Sequence, residues 1–303
     1  MDLAPIVLFV YNRPWHTQKT LEALSRNELA DKSDLFIFSD GPKNKASSED
    51  LRNIDEVRRI ITDISGFKSV NVTLREKNFG LANNVIEGVT HIINIYGKIV
   101  VLEDDLLTSR YFLQYCNEGL NLYKNETNVY SINAYQFPLE TDDFDTFLSP
   151  LGTSSWGWAT WSNKWKMFEV SPKYLNEIEN NFLLQERFNF GGYNYSGILK
   201  NPNSWAIKWY YSVFLRNGLG LFPTQSLVEN IGFDGSGQHK ENSMSSKIHE
   251  SEINLVKKDK IDLNYVCLVY DHLRMEKSGS PTREHYALTF IKSIANKIIS
   301  LTR

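Results

Sequence analysis

Ile99-Val100-Val101-Leu102-Glu103-Asp104-Asp105 is a run of four apolar residues stopped by three carboxylates. A continuous apolar run of this length predicts a strand covered on both faces, the kind a parallel sheet between layers of helices requires. The same reading predicts strands over 5–11, 34–39, 70–75, 98–102 and 129–134. Between them, Leu51, Ile54, Val57, Ile61 and Ile64 recur at helical spacing, as do Leu81, Val85, Val89, Ile92 and Tyr96. Pro14 follows the first strand and suits the first turn of a helix reaching over 17–29. Strand and helix in strict turn predict an α/β fold, Rossmann-like, with a doubly wound and mostly parallel sheet.

Ligands in such sheets lie outside the carboxyl ends of the strands, where loops converge and helix N-termini point their positive ends. The residues expected there are Asn12 and Arg13, then Asp40 and Gly41, then Arg75, Asn78 and Gly80, then Glu103, Asp104 and Asp105. Three adjacent acids repel one another, so a fold tolerates them best where a cation or strong donors neutralise them. Hard divalent ions such as Mn²⁺ or Mg²⁺ take oxygen ligands and sit between carboxylates and substrate phosphates. The bland alternative is a solvated acidic turn. Asp40 is set to accept hydrogen bonds from a base or ribose, or else belongs to an ordinary Asp-Gly-Pro turn. Arg13 meets a nucleotide's base or phosphate, or is a surface arginine beside a proline.

Past residue 140 the pattern loosens. Trp156, Trp158, Trp161 and Trp165 crowd together, with Trp205 and Trp209 further on. Most of these are expected in the core. Trp156 and Trp158, separated by a glycine that lets the backbone approach a ligand, are placed nearest an acceptor. The segment from Asn230 to His239 is rich in small residues and holds Asp234 and His239, an imidazole suited to a divalent metal, or else is a surface loop. The tail from His285 onward has Ala287, Phe290, Ile291, Ile294, Ile298 and Leu301 at helical spacing and no acid. Such a helix packs on its own domain or lies on an anionic membrane.

The chain has 303 residues, with 33 lysines and arginines against 36 aspartates and glutamates, a net charge of -3. That balance carries no basic field for a phosphate backbone and argues against a nucleic-acid partner. No stretch approaches the roughly 20 apolar residues of a membrane span, and the N-terminus lacks a secretory pattern, so the expectation is a cytoplasmic protein with membrane contact at most peripheral. Cys116 and Cys267 are expected to be buried thiols.

In their order, Asn12-Arg13, Asp40-Gly41, the stretch from Arg75 to Leu81, and Val100 to Asp105 resemble the GT-A glycosyltransferases. The resemblance is nearest to the N-acetylglucosaminyltransferase I type and its bacterial surface-polysaccharide relatives, and covers roughly residues 5–240. It implies a GT-A domain over 1–245, made of a nucleotide-sugar-binding half (1–140) and an acceptor-side half (141–245), with 246–303 as a C-terminal extension. It implies Asp105 as metal ligand with His239 nearby, and Glu103 and Asp104 facing the donor's sugar and ribose. Arg13, Asp40, Arg75 and Asn78 would surround the nucleotide, with Trp156 and Trp158 near donor sugar and acceptor. The implied reaction moves a hexose or N-acetylhexosamine from a nucleotide diphosphate, UDP by expectation, to a hydroxyl of a glycan or lipid-linked glycan, with Mn²⁺ or Mg²⁺.

One departure stands out. The family's catalytic base is an aspartate after a tryptophan, and here that stretch reads Trp205-Ala206-Ile207-Lys208-Trp209. An inverting transfer needs a base for the acceptor proton, and the nearest acids are Asp234 and Glu229, with Asp142, Asp143 and Asp145 further off. A retaining route, assisted by the leaving diphosphate, stays open. Two other classes compete: a nucleotidyltransferase, which the lack of a glycine-rich basic loop after the first strand disfavours, and a binding module that holds a nucleotide sugar without consuming it.

Overall fold

The computed structural model describes residues 2–139, 141, 144–235 and 247–278. Its centre is an eight-stranded sheet of β1 (Ile6–Val10), β2 (Asp34–Ser39), β3 (Ser69–Leu74), β4 (Lys98–Glu103), β6 (Val129–Asn133), β7 (Thr146–Ser149), β8 (Trp158–Trp161) and β9 (Leu219–Pro223), in the order β3-β2-β1-β4-β8-β6-β9-β7. The neighbours from β3 to β4 are parallel, as are β6 and β9; β8 and β7 run antiparallel to their neighbours. The mostly parallel α/β sheet expected from the alternation is present.

Helices α1 (Pro14–Ser25), α2 (Ser48–Thr62), α3 (Leu81–Tyr96) and α4 (Phe112–Leu122) cover its faces. Alternation along the strands explains why. Ile6, Leu8 and Val10 of β1 and Val100 and Leu102 of β4 pack with Leu21, Leu24, Val57 and Ile61 from α1 and α2. Val7, Phe9, Ile99 and Val101 point the other way, onto Val85, Val89 and Ile92 of α3. A strand whose successive residues enter two different cores must be apolar throughout, which is the pattern read from the sequence. Pro14 stands at the start of α1, where its missing N–H costs nothing.

β3 corrects one expectation. It forms where predicted, but at the sheet edge with only β2 beside it, so Val72 and Leu74 are exposed rather than buried. Both cysteines are buried and free.

The second half adds short helices α5 (Ser162–Trp165), α6 (Leu175–Asn180), α7 (Phe182–Phe188) and α8 (Tyr195–Leu199), then α9 (Trp205–Phe214) and α10 (Leu263–Ser278). Val266, Val269 and Leu273 of α10 share a cluster with Phe147, Phe188, Phe190 and Phe222. A separate two-stranded antiparallel ribbon, β5 (Leu106–Thr108) with β10 (Val228–Asn230), pairs Asn230 with Leu106. This ribbon carries the segment after Asn230 back over the carboxyl end of β4. No helix among the described residues is long and apolar enough to cross a membrane; the amphipathic tail over 285–303 lies outside the described residues.

Candidate functional site

β1 and β4 are neighbours, so the turn after one meets the acids that end the other. The period of two along β4 then sends its carboxylates to different sides. Glu103 points towards α9, where the Trp205 indole N–H donates to its Oε1 at 3.2 Å. Asp104 points to the α1 side, where the Thr20 hydroxyl donates to its backbone carbonyl at 2.9 Å and the Arg13 guanidinium pairs with its carboxylate. The same Arg13 Nη2 lies 2.9 Å from Asp105 Oδ2. The cation expected to neutralise the acids is, within the chain itself, this arginine.

Electrostatics at this turn are uneven. Burial, reinforced by the charges of Asp105 and Asp104, pushes the Glu103 carboxyl up to about 8. Burial also raises Asp104, against the pull of Arg13. Burial works against the charge on Arg13, but Asp104 and Asp105 outweigh it and hold the guanidinium firmly protonated. One arginine thus pairs with two of the three acids, and the third takes the Trp205 indole.

The segment after β10 closes over this turn. The Ile231 N–H donates to the Asp105 carbonyl at 2.9 Å, and Gly232 turns back on Asn230, its N–H donating to Oδ1 at 2.7 Å. A Cβ on Gly232 would stand 2.4 Å from Asp105 Oδ2 and 2.9 Å from Arg13 Nη1, so a side chain there would make Asp105 and Arg13 shift. Asp234 follows, with Oδ2 3.2 Å from Nε2 of His16 on α1. Glu229 sits partly buried on β10 opposite Leu107. His239 lies outside the described residues.

Asp40 is brought to the same sheet edge but into a different arrangement. Its Oδ1 accepts from the N–H groups of Gly41 and Phe79, each at 2.8 Å; its Oδ2 accepts from the Gly80 N–H and the Asn78 amide, each at 3.0 Å. Asn78 also donates to the Gly41 carbonyl at 2.8 Å. Both carboxylate oxygens therefore hold the 78–80 turn in place, and the backbone donors at 79 and 80 face Asp40. Arg75 packs over Phe79, 4.3 Å from its ring centre, and pairs with Glu87 at 2.9 Å.

The tryptophans divide as their burial dictates. Trp158 is fully buried against Trp165, Trp205 and Trp209, which corrects its assignment to the ligand. Gly157 is needed for packing: φ is +67°, and a Cβ there would meet Phe112 and Val228 at 3.0 Å. Trp156 remains partly exposed, edge-on to Phe233 of the overlying segment with ring centres 5.6 Å apart. Lys208, near where an acid was expected, is buried and donates from Nζ to the Pro202 carbonyl at 2.6 Å. Asp145 is held by Lys258 at 2.6 Å, at the far edge strand of the sheet; Asp142 and Asp143 lie outside the described residues. His16 was not singled out in the sequence. The one signal available was its place three residues after Arg13 at the start of a helix, which puts both on one face.

Among the described residues no three carboxylate, imidazole or thiolate side chains form a ready metal cage. The donor set still fits a hard divalent cation. Asp105 is partly exposed, no described residue donates to its Oδ1, and Mg²⁺-type ions are ordinarily held by one or two carboxylates together with substrate phosphates.

No protein-family model matches the chain, and no curated protein matches it. Among solved structures it is similar to a mannosyltransferase from Pyrobaculum calidifontis in complex with GDP-Man and Mn²⁺, with 12% identity, 65% of this chain and 55% of that chain covered, and a TM-score of 0.34. It is also similar to mouse xyloside xylosyltransferase 1 in its apo form, with 9% identity, coverage of 69% and 80%, and a TM-score of 0.35. A third is a UDP-glucose pyrophosphorylase complexed with UDP-glucose, with 12% identity, coverage of 73% and 90%, and a TM-score of 0.33. The chain spans about half the length of the first of these.

Proposed function

We propose that the chain is a metal-dependent GT-A glycosyltransferase that moves a hexose or N-acetylhexosamine from a nucleotide diphosphate, UDP by preference, to a sugar hydroxyl. The observation that carries this reading is the junction of Arg13, Asp104 and Asp105 at the carboxyl ends of β1 and β4, roofed by the 231–235 segment. A surplus of carboxylate held by one guanidinium suits a ligand that brings its own cation and offers phosphate to the arginine.

Asp105, through Oδ1, would hold Mn²⁺ or Mg²⁺, and the ion when bound supplies Lewis-acid stabilisation of the departing diphosphate. Arg13 binds a phosphate oxygen. Glu103 and Asp104 face the donor's sugar and ribose, and Trp156 offers a partly exposed ring to a sugar face. Asp234 is the acid best placed to take the acceptor proton, since it is two residues on from Gly232, which meets the acid turn, and is nearly half exposed. Asp40, Asn78 and Arg75 shape the wall of the nucleotide pocket. The finer likeness, to the N-acetylglucosaminyltransferase I type and bacterial surface-glycan enzymes, rests on the order of motifs in the sequence. With it go a glycan or lipid-linked acceptor, His239 as a further metal ligand, domain limits of 1–245 and 246–303, and peripheral membrane contact through 285–303.

The test is product analysis after incubation with UDP-N-acetylglucosamine, UDP-glucose and GDP-mannose in Mn²⁺. Release of the nucleoside diphosphate with free or transferred sugar is expected. Formation of a nucleoside triphosphate and sugar phosphate when pyrophosphate is added would instead mark a nucleotidyltransferase.

A further inference from the structure

We propose that His16 is the positioning residue for Asp234, holding that carboxylate and the 231–235 segment over the acid turn; the proposal rests on the reading of Asp234 as the acceptor's base. Arg13 is the N-cap of α1 and His16 lies in its first turn, three residues on. Arg13 reaches the acids that end β4, while His16 reaches the acid that follows β10. The start of one helix thus clamps both halves of the site.

The burial of the pair is asymmetric. The His16 side chain is 6% exposed and that of Asp234 47%. The imidazole is packed edge-on by Trp15, ring centres 4.9 Å apart. Its Nε2 lies 3.2 Å from Asp234 Oδ2, off the line of a good hydrogen bond, and no described residue completes a hydrogen bond to that atom. A buried ring nitrogen without a partner costs free energy, and a small turn of the Asp234 carboxylate satisfies it. The carboxylate is then fixed from the α1 side. In the transfer, the acceptor oxygen forms its bond to the anomeric carbon and gives its proton to Asp234, while the bond from that carbon to the diphosphate oxygen breaks with the electron pair leaving on the diphosphate.

Two readings on the full chain test this. In hydrogen exchange, His16→Leu is expected to speed the amides of 231–235 several-fold while His16→Gln, whose amide N–H can replace the ring donor, stays near wild type. Unchanged exchange in His16→Leu overturns the proposal whatever Asp234 does. Should His16→Leu fail to fold, Asp234→Ala reads the same latch from the other side, and unchanged exchange there is equally fatal.

In Mn²⁺-dependent hydrolysis of UDP-N-acetylglucosamine, UDP-glucose or GDP-mannose, Asp234→Asn is expected to lower kcat by about 100-fold or more. His16→Leu should lower kcat by about ten-fold with KM unchanged, regain it in His16→Gln, and add nothing in the Asp234→Asn background. A slow Asp234→Asn with an additive His16→Leu defeats the positioning role alone. Wild-type kcat in Asp234→Asn defeats the base assignment, and with it the role of His16 in transfer.

Discussion

Two strand ends at one sheet edge each present carboxylate, and they are built in opposite ways. At the end of β2, Asp40 is buried and both of its oxygens are filled by donors of its own chain, three of them backbone N–H groups. At the end of β4, three consecutive acids share one guanidinium and one indole N–H from side chains. The first arrangement is complete and fixes a loop. The second is partly exposed and roofed by a glycine segment, and two of its acids share a single arginine. Both acids lie at the same crevice, and the tally of satisfied lone pairs is what separates the two turns.

Removing each group should widen that contrast. The largest effect is expected at Asp40: Asp40→Ala leaves four donors unpaired in a buried turn and should cost about 3 kcal/mol in urea unfolding. A cost near zero together with lost nucleotide affinity would move Asp40 back among the ligand-binding residues. Next, Asp105→Asn should fold normally yet lose metal-dependent stabilisation by nucleotide, a loss of about 2.7 kcal/mol at a ligand concentration 100 times its Kd. Retained UDP affinity with Mn²⁺ would remove Asp105 from the site.

A smaller and pH-dependent effect is expected at Glu103. Its carboxyl is raised from 4.5 to about 8, so the folded chain keeps a proton that the unfolded chain releases between those values. Stability from this group is whole at low pH and declines as pH rises through that window. Glu103→Gln, which can still accept from Trp205, should gain about 1–2 kcal/mol over wild type at pH 8.5 in chelator and nothing at pH 4.5; a gain independent of pH would contradict the cause given. The smallest effect belongs to the partly exposed Asp145–Lys258 pair, where Lys258→Ala should change stability by about 0.5 kcal/mol or less and leave product formation untouched.

Much of this contrast was legible in the sequence, and the remainder was not for identifiable reasons. β1, β2 and β4 could be read closely because a strand between two helical layers must be apolar at every position. β3 only alternates, with Asn71 and Thr73 between Val70, Val72 and Leu74, and its pairing with a single neighbour at the sheet edge leaves Val72 and Leu74 exposed. The acids after β4 announced themselves, but their cation is 91 residues away, and its contact depends on β1 lying beside β4. Asp40 and Asn78 were both marked for a ligand because each follows a strand; that they bind one another follows from β2 and β3 being parallel neighbours. Trp156 and Trp158, with Gly157 between them, read as a ligand-facing pair, yet α5 and α9 enclose the Trp158 ring. His16 had no chemical signature of its own, since a lone histidine on a helix gains meaning only from what it faces.

The central claim is that the acid turn after β4, with Arg13, forms a metal-dependent nucleotide-sugar site. Its most direct test is thermal unfolding of the full chain with UDP, UDP-N-acetylglucosamine, UDP-glucose and GDP-mannose, each in Mn²⁺, in Mg²⁺ and in chelator. The account predicts that at least one nucleotide raises Tm by several degrees with metal and not with chelator, and that Asp105→Asn abolishes the shift. A Tm that no nucleotide moves with either metal, or one that rises equally in chelator and in Asp105→Asn, would contradict it.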